Sequence, residues 1–360
     1  MRVLSRVETL LAAATTLSTT ICAHPTSPPP RQSKCGPFSG DYYVKQYQLY
    51  PENADFDFNS CKLYIGQLWN ASLGIHDPYT GAHTTVEFDG ISHNPAFHMG
   101  AVGVDRRTGL VSIIADAANA FPSEGNDISG TNWLLQLDPR TLQLVYKINL
   151  TESSQGAYGG FQDVEQDPEG NVFVVGTWPG SLTKVSKDGK TVTPWYLPDK
   201  IVPTEKGIGG IAALDWLLLA QGDRSGKIWR FDLQAEKGVP VPVKMVGQGA
   251  ANHTFGQSDA IYLPPRHKGT VLLVAEDTIG VSVFRSKDAK WEEAEFKGIV
   301  PIGQVGPGTS IVAPVQIGES LYRVYEPFGD EGIAGPGTAG NRTEFLFEDI
   351  TASVDALLKG

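Results

Sequence analysis

The segment from Val164 to Val175 reads VEQDPEGNVFVV, and it decides how the chain is interpreted. A short apolar run gives way to the turn signal Asp-Pro-Glu-Gly, after which a run of β-branched and aromatic residues begins at Val172. The same phrase of strand, turn and strand recurs in residues 102–114, 261–274 and 315–324. These repeats predict a chain built from β-hairpins.

Each hairpin is followed by further strand-like runs, as in residues 182–185, 227–231 and 281–284. The unit therefore has four strands and recurs roughly every 40–60 residues, which is the period of propeller blades. Six units open near Tyr43, His98, Gly159, Gly207, Gly256 and Gly308. The prediction is an all-β fold, a six-bladed β-propeller of four-stranded blades. A β-sandwich of equal strand content does not explain the repeat.

Ring closure requires the two ends of the chain to meet in one blade, because an open radial array leaves unpaired strand edges. The last strand-like run, residues 343–347, is expected to pair with the N-terminal blade. Residues 350–358 fit either a short helix or a continuation of that edge. The propeller is thus predicted to close through its C-terminal strand.

The N-terminus has the layout of a secretory signal peptide. Arg2 and Arg6 precede an uncharged run at residues 10–21, and cleavage after Ala23 is expected. That run is too short to span a bilayer, and no later segment has the ~20 unbroken apolar residues of a membrane span. We expect a signal peptide at 1–23, a Pro/Ser-rich arm at 24–40 and a single propeller domain at 41–360 of a secreted protein.

Two further features fit an oxidising, glycosylating route. Cys35 and Cys61 remain once the signal is removed, and their even number predicts one disulfide, with two buried free thiols as the alternative. Glycosylation is expected at the four N-x-S/T sequons. These lie at Asn70, Asn149, Asn252 and Asn341.

The charge balance restricts the partners. The formal net charge of −11 argues against nucleic acid and anionic membrane surfaces, which both select basic patches. A small molecule is the expected ligand, and the oligomeric state stays open.

Several longer phrases resemble the family of propeller proteins encoded in fungal trichothecene gene clusters. They are DISGTN (127–132), YGGFQDVE (158–165), GTWPGS (176–181), SDAIYLPP (258–265), LVAED (273–277), APVQIG (313–318) and TAGNRT (338–343). The resemblance extends from about Tyr43 to Leu358. It implies a fungal source, a role in secondary metabolism and a terpenoid ligand. More distantly, the blades are similar to gluconolactonase and senescence-marker propellers.

The innermost strand of each propeller blade lines the central channel, so candidate site residues are sought there. These strands supply His98, Gln162, Asp163, Glu165, Ser258 and Asp259. The long connection at residues 116–132, inserted within one blade, is the expected lid. Asn132, Trp133, Phe161, Gln162 and Glu165 are the predicted pocket residues, and Phe97, Tyr158 and Trp178 are further candidates for an apolar wall.

Three functions compete for this site. The first is acid–base ring closure or dehydration of an oxygenated sesquiterpenoid, the work of a cyclase- or dehydratase-like lyase or isomerase. It needs one group to protonate a leaving hydroxyl and another to take a proton from the attacking one. His98 with Asp163 or Asp259 is the predicted catalytic set, and His76 and His93 are substitutes for His98.

The second function is a lactonase-type, metal-dependent hydrolase, in which Asp163, Asp259 and Asn132 would offer oxygen ligands to a divalent cation such as calcium. The complete ligand set of the gluconolactonase-like propellers is not present at matching positions, so neither a metal ligand nor a cofactor is assigned. An aspartate that caps a turn is the structural alternative for both acids. The third function is a non-enzymatic secreted binding protein or virulence factor, since a propeller fold does not determine function.

Overall fold

Six β-sheets form the blades of a β-propeller in the computed structural model. The structure describes residues 35–199, 202, 204–222, 226–247, 253–333 and 337–360. The predicted signal peptide and residues 24–34 of the predicted arm lie outside the described residues. The strands are numbered β1 to β25 along the chain.

Blades I to III are each one four-stranded antiparallel meander. Blade I consists of β2 (Pro51–Asp57), β3 (Lys62–Gln67), β4 (Ser72–His76) and β5 (His83–Val86). Blade II consists of β6 (Phe97–Val104), β7 (Val111–Ala117), β8 (Trp133–Asp138) and β9 (Gln143–Asn149). Blade III consists of β10 (Gly159–Gln166), β11 (Val172–Trp178), β12 (Ser181–Val185) and β13 (Val192–Tyr196), and the short helix α1 (Leu150–Ser154) precedes it.

Blades IV to VI complete the ring. Blade IV consists of β14 (Ile208–Leu214), β15 (Leu217–Gly222), β16 (Ile228–Asp232) and β17 (Val241–Pro242). Blade V consists of β19 (Ile261–Tyr262), β20 (Val271–Glu276), β21 (Gly280–Arg285) and β22 (Glu293–Pro301), with β18 (Lys244–Val246) added as a parallel edge strand. Blade VI consists of β23 (Thr309–Ile317), β24 (Ser320–Pro327), β25 (Glu344–Asp349) and β1 (Tyr42–Lys45).

Blade VI contains both ends of the chain, and this confirms the predicted closure. The C-terminal strand β25 pairs with β24 on one side and with the N-terminal strand β1 on the other. Tyr43, where the sequence predicted the first unit, therefore lies in the outer strand of the last blade. The first inner strand begins later, at Pro51. The tail forms a helix, α2 (Thr351–Lys359), whose Val354 is buried against blades V and VI.

The turn in the opening segment shows why the hairpins form. Asp167 is fully buried, and its Oδ1 accepts hydrogen bonds from the backbone N–H groups of Glu169 and Asn171, each at 2.9 Å. Gly170 adopts φ of +89°, a conformation that a side chain disfavours. Asp-Pro-Glu-Gly thus supplies the carboxylate, the fixed φ and the glycine that a tight connection requires.

The hydrophobic core lies between neighbouring blades. One cluster joins Phe173 and Val175 of blade III to Ile211 and Leu218 of blade IV, and each other junction has a comparable cluster. The first strands of adjacent blades contact one another around the ring. None of the described helices has the length and apolar character of a membrane span.

The predicted disulfide between Cys35 and Cys61 is present. Cys35 leads into β1 of blade VI, and Cys61 lies in the turn between the first two strands of blade I. The bond therefore connects the two blades between which the ring closes.

Candidate functional site

A cavity of about 330 Å³ lies where the inner strands begin, at one mouth of the channel. Glu52, His98, Gln162 and Ser310 line it from the inner strands of blades I, II, III and VI. Because the blades converge there, residues far apart in sequence face one small volume. Its size lies at the lower end of the range for small-molecule sites.

Acidic side chains outnumber basic ones in the cavity wall. Among the described residues that line it, five are acidic and one, Lys206, is basic. The five are Glu52, Asp116, Glu124, Asp259 and Asp277. Glu326 lies directly behind this wall and is fully buried. The cavity is thus more acidic than the chain as a whole.

Asp116 is the most enclosed of these acids. It lies opposite His98 in the pairing of β6 with β7 and is 1 % exposed. Neither of its carboxyl oxygens has a hydrogen-bond partner in another described residue. Burial raises the pKa of Asp116 well above its ordinary value because the charged form is desolvated. Burial therefore favours the protonated form of the Asp116 carboxyl group, which lines the cavity.

Glu52 shares this environment. Burial raises the pKa of Glu52 well above its ordinary value, and the like charges of Glu326, Asp116 and Asp277 raise it further. Glu52 thus interacts electrostatically with the other three acids, and we call Glu52, Asp116, Asp277 and Glu326 the carboxyl cluster. Burial favours the protonated forms of Glu52, Asp116 and Glu326, and the like charges around Glu52 add to this effect.

His98 lies beside this cluster as a neutral base. It is 3 % exposed, its Nε2 has no hydrogen-bond partner in the described residues, and burial lowers its pKa to about 4. The Trp69 ring lies edge-on to the His98 ring with centroids 5.0 Å apart, and its Nε1–H donates to Glu326 Oε1 at 2.9 Å. Trp69 thus connects the imidazole to the buried Glu326.

An aromatic lid covers one side of the cavity. Phe121, from the connection between β7 and β8, packs edge-to-face on Trp178 with ring centroids 4.9 Å apart. Trp178 fits only because positions 125 and 160 are glycines, where a Cβ would come within 2.3 and 2.4 Å of the indole ring. The predicted lid thus lines the cavity through Phe121 and its neighbours Pro122 and Glu124.

The model of the Mal s 1 allergenic protein-like family matches residues 33–300 of the chain. The chain belongs to this family. Two relatives match most of its length, and both carry names from trichothecene biosynthesis, which confirms the resemblance found in the sequence. "Trichothecene biosynthesis protein 14" of Trichoderma arundinaceum is 33% identical over 341 residues, 90% of this chain and 92% of the relative. "Core trichothecene cluster (CTC) protein 14" of Fusarium sporotrichioides is 29% identical over 346 residues, 90% of this chain and 88% of the relative.

A solved structure agrees with the architecture. The Malassezia sympodialis allergen Mala s 1 superposes with a TM-score of 0.74 at 21% identity, over 87% of this chain and 96% of the allergen. At that identity the likeness shows the fold alone.

Two residues of the predicted catalytic set line the cavity of this Mal s 1-like protein, namely His98 and Asp259. The third, Asp163, does not line it. Asp163 Oδ2 accepts from the backbone N–H of Ile211 at 2.7 Å, and Oδ1 accepts from the backbone N–H of Val164. Burial raises the pKa of Asp163 to about 8. This aspartate therefore joins blade III to blade IV.

Of the predicted pocket residues, likewise, one lines the cavity and the others lie elsewhere. Gln162 lines the cavity, whereas Asn132 holds the lid connection by accepting from the backbone N–H of Ala117 at 2.8 Å. Trp133 lies in the third strand of blade II, with Lys147 Nζ 4.4 Å from its ring centroid. Phe161 is buried in the core between blades II and III.

Glu165 belongs to a second polar group, at the other end of the inner strands. There Arg106, in the first turn of blade II, donates to Tyr262 Oη of blade V at 3.2 Å and to Asp55 Oδ1 of blade I at 3.4 Å. Burial raises the pKa of Glu165 to about 8, with the Arg106 charge acting in the opposite direction. Arg106 thus bridges opposite blades and narrows the channel there.

The sequence prediction missed Glu52 because it placed the first unit near Tyr43, and it missed the other acids of the carboxyl cluster because it considered only the innermost strands. Asp116, Glu276 and Glu326 instead stand at the ends of second strands, and Gln221 occupies the same place in blade IV. Each ends an apolar strand with a polar residue next to the start of the inner strand. This recurring polar residue near the end of the second strand is the sequence pattern from which these residues could have been predicted.

The described residues of this Mal s 1-like protein do not form a prepared site for a divalent cation. Among the described residues, no three His, Cys, Asp or Glu side chains are grouped closely enough to hold a metal ion. Calcium requires six to eight oxygen ligands. The donors present therefore do not fit a metal, and no step is derived through one.

The predicted glycosylation sites differ in exposure. Asn341 is exposed, and Asn70 and Asn149 are half-buried. Asn149 Oδ1 caps helix α1 by accepting from the backbone N–H groups of Thr151 and Glu152. Asn252 lies outside the described residues.

Gly100 fixes the position of Asp116, which gives a test of the site geometry. An added Cβ at residue 100 would lie 3.0 Å from both Asp116 Oδ1 and the Phe161 carbonyl oxygen. We expect Gly100→Ala to lower the free energy of unfolding by about 1–3 kcal/mol through overpacking, measured by urea denaturation. Gly306→Ala is the control, since its Cβ has no neighbour closer than 4.0 Å. Equal stability of the two variants would contradict this geometry.

Proposed function

We propose that this Mal s 1-like protein acts in trichothecene biosynthesis and closes a ring on an oxygenated sesquiterpenoid with loss of water. The names of the two relatives support the pathway. The chemistry is supported by one observation above the others: a buried Asp116, whose carboxyl oxygens have no partner in another described residue, lies opposite His98 in the wall of the cavity.

In the proposed reaction, the Asp116 carboxyl protonates a hydroxyl of the substrate, and the carbon–oxygen bond breaks as water leaves. A second hydroxyl of the same substrate attacks the electron-poor carbon and forms the ring ether. His98 Nε2 accepts the proton of the attacking hydroxyl and returns it to the Asp116 carboxylate. The net change is the loss of one water, with no oxidation or reduction.

The cavity wall supports this chemistry in two ways. Trp69, Trp178 and Phe121 provide apolar surface for a terpenoid skeleton, and they limit the access of bulk water to a reactive intermediate. Glu52 has a raised pKa as well, so it can serve as the acid when the leaving hydroxyl points towards blade I. This assignment keeps the predicted His98 and replaces the predicted Asp163 with Asp116.

The pH dependence follows from the two pKa directions. His98 must be neutral, so activity should fall below about pH 4, where the imidazole protonates. Asp116 must be protonated, and its raised pKa should carry activity well above the value of about 4 at which an ordinary aspartate ionises. The measurement is kcat/KM against pH. A profile that already declines from about pH 4 upwards would contradict the assignment of Asp116 as acid.

The direct test is incubation of the purified protein with hydroxylated sesquiterpenoids, followed by mass spectrometry. A product one water lighter supports the proposal. Binding without any product favours the non-enzymatic alternative, and chelator-sensitive hydrolysis of a lactone favours the metal-dependent one.

We also propose that the protein follows the secretory route and is glycosylated. The disulfide supports this, since such bonds persist in oxidising compartments. Glycopeptide mass spectrometry should find Asn341 the most fully occupied of the three described sequons, because it is the exposed one.

A further inference from the structure

We infer that the cavity is a site for an organic cation. It would bind an apolar ammonium ion of terpenoid size and, during the proposed reaction, the carbocation that forms when the hydroxyl leaves. The catalytic half of this inference rests on the proposed function, whereas ammonium binding can be measured without turnover.

The acidic side chains that line the cavity are the first observation in favour of a cation. Among the described residues, five acidic side chains and one lysine line it, and Glu326 lies behind them. Asp116 is 1 % exposed, lines the cavity and has both carboxyl oxygens without a partner in another described residue. The carboxyl groups that are ionised would repel an anionic ligand, such as a diphosphate. A cation would be attracted, and the low polarity of the surroundings strengthens that attraction.

The aromatic residues carry the second part. Trp69, Trp178 and Phe121 line the same cavity as the acids, and the faces of aromatic rings attract cations within about 6 Å of the centroid. Trp178 already shows this behaviour, since Lys206 Nζ lies 5.8 Å from its ring centroid. Rings and carboxyl groups together are the recognition elements of an ammonium group that carries an apolar body.

Proton transfer and cation binding are coupled in this arrangement. When Asp116 gives its proton to the leaving hydroxyl, it becomes a carboxylate at the moment when the substrate becomes a cation. The two charges form together and stabilise one another. The site is therefore complementary to the charged state along the reaction and less so to the neutral substrate.

The same coupling predicts a pH effect on binding. Burial favours the protonated forms of Glu52, Asp116 and Glu326, whereas an ammonium ligand is attracted by their carboxylate forms, so its binding should release protons and its affinity should rise with pH. A neutral ligand displaces none. The other charged or titratable groups around the cluster are His98, Glu124, Asp259, Lys206 and the Asp330–Arg342 pair behind Glu326.

The test compares 4-(trimethylammonio)cyclohexanol with 4-tert-butylcyclohexanol, which has the same shape without the charge. Calorimetry is run at about pH 5 and about pH 8, in buffers of different ionisation enthalpy, so that proton release is measured directly. We expect the ammonium to bind at least about tenfold more tightly at the higher pH, with proton release. Asp116→Asn and Glu326→Gln should reduce both the preference for the ammonium over the neutral ligand and the number of protons released. The control Glu236→Gln, at an exposed position, should change neither quantity.

Equal affinity for the two ligands, or a preference that Asp116→Asn and Glu326→Gln leave intact, would overturn the inference. Failure of the proposed function is separable from this result. If the protein forms the dehydrated product but shows no ammonium preference, the inference is wrong and the function stands. If it prefers the ammonium but transforms no hydroxylated sesquiterpenoid, the catalytic half fails.

Discussion

Replacing Asp116 with asparagine should reduce the turnover of a hydroxylated sesquiterpenoid by roughly a hundredfold to ten-thousandfold, the usual contribution of a positioned general acid. Asparagine fills the same space but cannot supply the proton that the leaving hydroxyl needs. The loss should appear in kcat, because the amide can still contact the ligand. Glu236→Gln changes an exposed acid remote from the cavity and should leave kcat within about twofold.

The pH dependence of the melting temperature should show whether the Asp116→Asn variant is correctly folded. The folded-state pKa of Asp116 is raised, so its protonation stabilises the native state at low pH, and that contribution is lost as pH rises through the folded-state pKa. Asp116→Asn removes this dependence. Relative to the wild type, its melting temperature should therefore increase from about pH 5 to about pH 9. An inactive variant that melts far below the wild type at every pH would indicate misfolding, and its kinetics would then say nothing about acid catalysis.

Removal of the disulfide should have the largest effect on stability. The Cys35–Cys61 bond closes a loop with a sequence separation of 26, for which chain entropy gives about 3.5 kcal/mol. Because the bond joins the segment before β1 to blade I, its loss also loosens the junction at which the ring closes. Cys35→Ser with Cys61→Ser should lower the free energy of unfolding by about that amount, measured by urea denaturation.

The circular dichroism spectrum is the control for this measurement, because it reports whether the blades are still folded. The double serine variant should keep the circular dichroism spectrum of the native protein, since β1 still pairs with β25 through Val44 and its neighbours. A loss of stability below about 1 kcal/mol would contradict the view that this bond secures the ring.

The fold was predictable because the turns of the propeller blades have recognisable sequence patterns. Residues 167–170 specify a tight turn, in which the Asp167 side chain accepts a hydrogen bond from the backbone. The number of times that such a turn recurs between strands predicts the number of blades. Tyr43 was assigned to the wrong blade for a physical reason. β1 has the pattern of any strand, and only its pairing with Phe347 and the rest of β25 shows that it belongs to the last sheet.

The site was predictable only in part. His98 was found because it opens an inner strand, where a propeller presents side chains to the channel. Asp163 lies in the middle of an inner strand, but its carboxyl accepts a hydrogen bond from the backbone N–H of Ile211 in the next blade, which no local pattern reveals. Asp116 and Glu326 were missed because they lie at the ends of second strands, and their common proximity to Glu52 depends on how blades II and VI pack on either side of blade I.

We propose that this Mal s 1-like protein removes one water from a hydroxylated sesquiterpenoid through Asp116 and His98, without a metal. This proposal is tested by single-turnover mass spectrometry of the purified protein with that substrate class, with and without a chelator. We expect a product one water lighter, formed equally fast in both cases by the wild type and not by Asp116→Asn. A product formed at the same rate by Asp116→Asn, or one whose formation stops with the chelator, would contradict it.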